Sequence, residues 1–314
     1  MHFDRAYLDL FRESPLACAV ETEHPDMEPH AHEFDELVLI ACGEGRHEAG
    51  GTDYGFAAGD VFVVPRGMRH AYRDMEGVTL YNVLYDFDHM GMANWDARDL
   101  PGFRALFALE PAARERNEFR GRLHLTAHRL HEALIHLRAL NEELEEERPG
   151  FRVAAFGRFM QLAAFLGRCY EEQEEPSSEA LLRISRAIGF MEEHFRNPLS
   201  VRELADAEHT SVRTLQRLFR EALDTTPTQY LRRLRIEHAA SLLRERRCTV
   251  TEAAYASGFN DSNYFSQLFR EITGVTPTAY RRSEDERHGL DDFPADDDGG
   301  MSLPFPAARS ESTP

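Results

Sequence analysis

The sequence predicts an α+β chain: an N-terminal β domain, a helix pair after it, and an all-α C-terminal domain. Three observations carry this. Short β-rich runs separated by glycine turns fill residues 30–87, the apolar period becomes helical from about residue 119, and residues 200–282 contain one helical unit twice. With 314 residues the chain has room for two domains, each with its own core.

Composition narrows the class. Hydrophobic residues at 42% and charged residues at 29% exclude wholesale disorder. No apolar run reaches 18 residues and no basic-then-apolar N-terminus is present, so neither a membrane span nor a secretory signal is expected. Cys18, Cys42, Cys169 and Cys248 match no metal or disulfide spacing, which fits a reducing cytoplasm. The formal charge of −19 would argue against nucleic acid, but it is unevenly spread. Residues 180–283 hold 16 Arg and 12 acids, a net of +4, whereas residues 1–179 carry −16 and residues 284–314 carry −7. A basic segment inside an acidic chain points to a nucleic-acid partner. All 36 basic residues are Arg, whose planar fork suits guanine edges and phosphates.

In order along the chain, residues 1–118 read as the β domain, a sandwich or barrel. Its strands include Leu37-Val-Leu-Ile40, Val61-Phe-Val-Val64 and Leu80-Tyr-Asn-Val-Leu-Tyr85, separated by turns at Gly43-Glu-Gly45 and Gly50-Gly51. Residues 119–170 read as a helix pair. Leu123, Ala127, Leu130, Leu134, Leu137, Asn141 and Leu144 alternate steps of four and three, a seam that serves either a homodimer or packing on the chain's own β domain. Pro149-Gly150 ends the first helix. Residues 171–179, beginning Glu171-Glu-Gln-Glu-Glu-Pro-Ser-Ser178, read as a charged linker, and residues 284–314 as a disordered acidic tail.

The repeat lies in residues 180–283. Leu218-Phe-Arg-Glu221 recurs as Leu268-Phe-Arg-Glu271, and Thr226-Pro-Thr228 recurs as Thr276-Pro-Thr278, while upstream Ser200-Val-Arg-Glu203 matches Thr249-Val-Thr-Glu252. Ser/Thr-x-x-Glu is a capping box and Thr-Pro a capped helix start, so each copy is two short helices joined by a tight turn, a helix-turn-helix. Leu215, Leu218 and Phe219 face the core of the first copy, and Phe265, Leu268 and Phe269 that of the second. The opposite faces present Arg213, Thr214, Gln216, Arg217 and Arg220, and Ser262, Asn263, Tyr264, Ser266, Gln267 and Arg270. Such side chains read base edges and hold phosphates, although each alone is equally a solvated helix face.

The segment Leu199-Ser-Val-Arg-Glu-Leu-Ala205 through Gly258-Phe259, Tyr264-Phe265, Phe269-Arg270, Gly274-Val-Thr-Pro277 and Tyr280-Arg281 resembles the AraC/XylS-type DNA-binding domain. That resemblance implies two helix-turn-helix units joined by a long helix, here about residues 227–246, entering adjacent major grooves of promoter DNA, with RNA polymerase as a further partner. His209 and Asp224 stand where the first unit usually has glycine; both types tolerate left-handed backbone better than most.

In the β domain, His30-Ala-His32, Glu36 and Gly43, followed by Gly59, Pro65-Arg-Gly67 and His70, resemble the two motifs of the cupin superfamily, a small β-barrel; Asp74 replaces the usual asparagine. The resemblance implies His30, His32, Glu36 and His70 as ligands where a metal is held, a set suited to Zn, Mn, Fe or Ni. The same residues serve equally in hydrogen-bonding an effector, with no cofactor required, or as structural histidines. For an effector pocket the candidates are His32, His47, His70, Tyr72, Arg73 and Asn82, with Phe34, Phe62 and Tyr81 as apolar wall. His30-Ala-His-Glu-Phe34, Glu36, Gly43-x-Gly45-x-His47 and Asn82-Val-Leu-Tyr85 are similar to the L-rhamnose-responsive activators of the AraC family, which implies a sugar effector. The expected function is a cytoplasmic, effector-gated transcription regulator; the rival is a metal-dependent cupin enzyme, a dioxygenase or isomerase with an accessory helical domain.

Overall fold

The computed structural model describes residues 15–87, 89–90, 99–115, 122–244 and 248–288. The chain divides into two compact units, one up to Ser185 and one from Arg186.

The first unit opens with strands β1 (Leu16–Thr22), β2 (Met27–His30), β3 (Asp35–Ala49), β4 (Thr52–Ala57), β5 (Asp60–Val64) and β6 (His70–Tyr85). With β7 (Leu123–His124) they make one antiparallel sheet in the order β1-β6-β3-β5-β7, β2 adding to β6 and β4 to β3. Gly50-Gly51 is the turn expected between β3 and β4. Gly43-Glu-Gly45 is not a turn: it lies inside β3, where the register against β6 shifts around Cys42 and Glu44. Gly43 has φ 82°, and a Cβ there would stand 2.5 Å from the Gly77 carbonyl oxygen. The consequence is a change of facing. Before the bulge Val38 and Ile40 turn inward; after it Ala49 does, an odd position, because an extra residue flips every later side chain. The sheet folds over there, so Val38 and Ile40 share one core with Phe56, Phe62, Val64, Tyr72 and Leu80.

A helical segment that periodicity did not single out follows. We name it α1: Pro101–Arg104, a π-helical stretch Ala105–Leu109, and Glu110–Glu115. Then come α2 (Ala127–Glu146) and α3 (Phe151–Glu171). The helix pair starts later than expected. Leu123 is a strand residue, Thr126 caps α2, and the fully buried stripe is Ala133, Leu137, Leu140 and Leu144. Leu130, Leu134 and Asn141 are only half-buried, and Asn141 donates to Glu145 2.7 Å away, so the intramolecular contact is rotated from the sequence-derived seam. The expected linker is short: Pro176 sets φ for a helical first turn, and α4 (Pro176–His194) begins there.

The second unit is all helical: α5 (Val201–Ala207), α6 (Val212–Leu223), α7 (Pro227–Arg244), α8 (Val250–Ala256), α9 (Ser262–Thr273) and α10 (Pro277–His288). Both capping boxes form, Ser200 with Glu203 and Thr249 with Glu252. Leu215, Leu218 and Phe219 are buried as expected, and Phe265, Leu268 and Phe269 pack with Ile236, Ala239 and Leu243 of α7. The two non-glycine turn positions adopt left-handed backbone, His209 and Asp224 at φ 48°, where their counterparts Gly258 and Gly274 have φ 81°. Helix α10 continues past Ser283 to His288, a correction to the expected start of the tail; residues 289–314 of that tail lie outside the described residues. Among the described residues no helix is long and apolar enough to cross a membrane.

Candidate functional sites

The interior of the folded sheet is polar at its centre. His30 ends β2, Glu36 is the second residue of β3, His70 begins β6, and His32 follows β2 in the connecting loop. His47 joins them only because the β3 bulge turns odd positions inward. All five are buried. Ligand atoms of His32, Glu36 and His70 lie within 4.8 Å of one another, a buried group that could hold a metal ion. His30 is not part of that group; its Nδ1 donates to the Glu28 carbonyl at 3.0 Å, as that of His32 does to Phe34, and its ring packs 4.2 Å from His70. The four-ligand set therefore reduces to two imidazoles and a carboxylate, which by donor type still fit a first-row divalent ion.

Glu36 Oε2 is 3.3 Å from His32 Nε2 and 3.9 Å from His70 Nε2. Burial disfavours charge on His32, but the Glu36 carboxylate outweighs it and holds the imidazole pKa above its ordinary value. Burial drives His47 and His70 the other way, so both rings are neutral. Glu36 Oε1, His70 Nε2, the Tyr72 hydroxyl and Asn82 Oδ1 are buried with no hydrogen-bond partner. Leaving such groups unpaired costs about 1–3 kcal/mol each, so these atoms are the polar groups of this interior that a partner would satisfy.

The proposed pocket set divides. His32, His47, His70, Tyr72 and Asn82 are buried in this interior, with Phe62 stacked on His47 at 4.7 Å and Phe34 on His32 at 4.4 Å. Arg73 is not: it alternates to the other face of β6 and pairs with Glu28 at 3.0 Å on the surface. Tyr81 likewise alternates away from Asn82. Sequence reasoning missed two members, Glu21, whose Oε1 accepts from Asn82 at 3.4 Å, and His24, whose Nε2 lies 3.2 Å from Glu21. It also missed Tyr54, Glu110 and Arg114. Glu110 and Arg114 form a fully buried ion pair on α1, and the Arg114 guanidinium lies over the Tyr54 ring, 5.2 Å from its centroid. Their spacing of four was visible, but nothing in the sequence marked that turn as buried.

In the second unit, α6 exposes Arg213, Gln216, Arg217 and Arg220, and α9 exposes Asn263, Tyr264, Gln267 and Arg270. Thr214, Ser262 and Ser266 are half-buried. The Thr214 hydroxyl bonds Ser211 at 2.8 Å and Ser266 donates to the Ser262 carbonyl at 2.8 Å, so these hydroxyls are engaged within their own first turns. Arg217 pairs with Glu221 at 2.6 Å, and the Tyr264 ring is capped by Arg232 at 5.8 Å. The exposed row of Arg, Gln and Asn on both second helices is the chemistry of groove recognition.

Comparison with known proteins agrees with both units. Residues 17–163 match the model of an AraC-like ligand binding domain, and residues 204–283 that of a helix-turn-helix domain. The chain is 29% identical over 284 residues to the HTH-type transcriptional activator RhaS of Escherichia coli O1:K1, covering 88% of this chain and 96% of that protein. Two solved structures are similar over about a third of this chain. One is an AraC-type regulator from Chromobacterium violaceum, at 30% identity over 32% of this chain and 91% of that one, TM-score 0.32. The other is the DNA-binding domain of AdpA in complex with a target DNA, at 29% identity over 34% and 97%, TM-score 0.33.

Proposed function

This chain belongs to the AraC family of helix-turn-helix transcriptional regulators, and we propose that it senses a small polyhydroxylated molecule inside its N-terminal sheet and answers by changing how it engages promoter DNA. A DNA-binding regulator with a ligand-binding domain leaves the enzyme alternative without support from either match. The observation that carries the effector reading is the set of buried atoms without partners, Glu36 Oε1, His70 Nε2, Tyr72 hydroxyl and Asn82 Oδ1. A sugar supplies donors and acceptors of that density, and Phe34 and Phe62 brace the His32 and His47 rings beside them by stacking. L-rhamnose heads the candidates. Gating follows if the sugar binds one arrangement of the regulator more tightly than the other.

A second reading has a specific observation behind it. His32, Glu36 and His70 would hold a divalent ion, which when bound would supply Lewis-acidic anchoring of an effector oxygen. A homodimer is supported by α2, where Leu130 and Leu134 stay half-buried and Ile135 is 54% exposed beside the intramolecular stripe.

The test is genome-wide selection of bound fragments by the purified protein, with and without a panel of sugars including L-rhamnose. Sites carrying two half-elements about one helical turn apart, with occupancy shifted by one sugar, are the expected result. No enrichment at low salt overturns the DNA assignment; enrichment that no sugar shifts overturns the effector class. Within that assay Gln267→Ala is expected to cost about 1–3 kcal/mol and relax one base position. Arg217→Ala should do the same if Arg217 leaves Glu221 to reach a base, and weaken all sites evenly if it holds phosphate.

A further inference from the structure

His70 differs from its neighbours in how its tautomer is set. His30 and His32 each donate Nδ1–H to a backbone carbonyl, of Glu28 at 3.0 Å and Phe34 at 2.7 Å, which leaves their Nε2 atoms facing inward with no choice of tautomer. His70 Nδ1 instead meets another imidazole, His47 Nε2, at 3.1 Å, and His47 Nδ1 in turn meets the Tyr54 hydroxyl at short range. Tyr54, His47 and His70 are thus a row of three neutral groups with one proton each. Such a row has two self-consistent arrangements. In one, Tyr54 donates to His47, His47 donates to His70, and His70 presents Nε2–H to the interior. In the other every bond is reversed and His70 presents a lone pair.

The charges at the two ends select between them. The Arg114 guanidinium lies 5.2 Å from the Tyr54 ring centroid and is held there by buried Glu110. The Glu36 carboxylate lies 3.9 Å from His70 Nε2 at the opposite end. A cation at the tyrosine end and an anion at the histidine end both push protons along the row toward Glu36, and the buried setting leaves that field little screened. Burial also raises the Tyr54 pKa to about 12, so the phenol keeps the hydrogen it must donate.

We propose that Tyr54 and His47 are positioning residues that fix His70 as its Nε2–H tautomer, so that the sensor interior offers its effector a hydrogen-bond donor at that atom and disfavours a resident metal ion. The proposal rests on the reading of this interior as the effector site and sharpens it. The triad matches a metal by residue type but not by proton position. A cation at His32, Glu36 and His70 requires the His70 Nε2 lone pair, hence reversal of all three protons against the field of Arg114 and Glu36. The guest at His70 is therefore an acceptor, a hydroxyl or carbonyl oxygen. The Tyr72 ring lies 5.7 Å from that of His70, and its unpartnered hydroxyl can answer another oxygen of the same guest.

The full chain, labelled with 15N-histidine, tests this by long-range 1H–15N correlation spectra, His70 being identified by its loss in His70→Gln. The expected native spectrum has His70 protonated at Nε2 and bare at Nδ1. Tyr54→Phe removes the donor that starts the row. His70 should then become a mixture of tautomers, and Zn2+ affinity, read by calorimetry, should rise by about tenfold as the lone-pair form grows from roughly a twentieth to roughly half of the population. A purely structural tyrosine would leave Zn2+ affinity unchanged or lower it. His70 protonated at Nδ1 in the native chain overturns the proposal, as does a Tyr54→Phe variant with an unaltered His70 tautomer. Where neither protein binds Zn2+, the tautomer alone decides. A native Nε2–H signal together with no response to any sugar leaves this assignment standing and removes the sugar reading instead.

Discussion

Arg114→Leu is expected to destabilise the N-terminal unit by about 3–5 kcal/mol, because it leaves the Glu110 carboxylate buried without its cation. Both side chains are essentially fully buried, and Arg114 also covers the Tyr54 and Phe62 rings, so leucine loses contact as well as charge. The loss depends on pH in a direction that can be stated. Burial raises the Glu110 pKa from 4.5 to about 7 even with Arg114 beside it. Between those values the folded protein binds more protons than the unfolded chain, so the contribution of Glu110 is full at low pH and falls as pH rises toward about 7. Without Arg114 the carboxyl takes up its proton more readily still. The penalty of Arg114→Leu should therefore be smaller at about pH 5 than at about pH 8, and Glu110→Gln in the same background should remove that difference. Urea unfolding at the two pH values measures it; a cost below about 1 kcal/mol at the higher pH would show that the pair is not what holds α1 against the sheet.

Gly258→Ala is expected to cost the C-terminal unit about 3 kcal/mol or more and to abolish ordered engagement of the second half-site. Gly258 has φ 81°, and its added Cβ would stand 2.6 Å from the Phe195 carbonyl oxygen and 3.0 Å from that of Arg196. Neither oxygen belongs to a flexible side chain, so the turn between α8 and α9 must move, and α9 with its exposed Asn263, Gln267 and Arg270 moves with it. Thermal unfolding and binding to a two-half-element fragment would both report the change. The equivalent position in the first unit is His209 at φ 48°, already a side chain in left-handed backbone. There His209→Gly should alter stability by no more than about 1 kcal/mol. A Gly258→Ala protein with unchanged melting and unchanged half-site contact would show that the turn accommodates a methyl group by a shift the rest of the unit absorbs.

The DNA-binding unit was legible in the sequence because its signals are local. Capping boxes at Ser200 and Thr249, the helix starts at Pro227 and Pro277, and the inward rows of Leu and Phe each lie within a few residues of what they determine. The same reasoning read His209 and Asp224 as non-glycines able to hold left-handed turns, and both do. It was weaker wherever a choice of face depended on partners distant in the chain. The α2 stripe reads equally well as two overlapping seams, and only packing on α3 and β1 buries Ala133 and Leu140 in place of Leu130 and Leu134.

The proposed sensor site divides in the same manner. Sequence alone brought His30, His32, Glu36, His47, His70 and Asn82 forward as the chain's polar chemistry, and the structure gathers all of them inside one sheet. Tertiary structure decided their facing and their partners. A one-residue bulge in β3 between Ile40 and Cys42 turns His47 inward, strand alternation sends Arg73 and Tyr81 to the other face, and the Glu28 carbonyl accepts a hydrogen bond from His30 Nδ1. Residue type and spacing determine which groups a protein has to work with. Facing, burial and proton position depend on bulges and on strands and helices far apart in the chain, such as α1 with Glu110 and Arg114, and these exist only once the sheet has folded over.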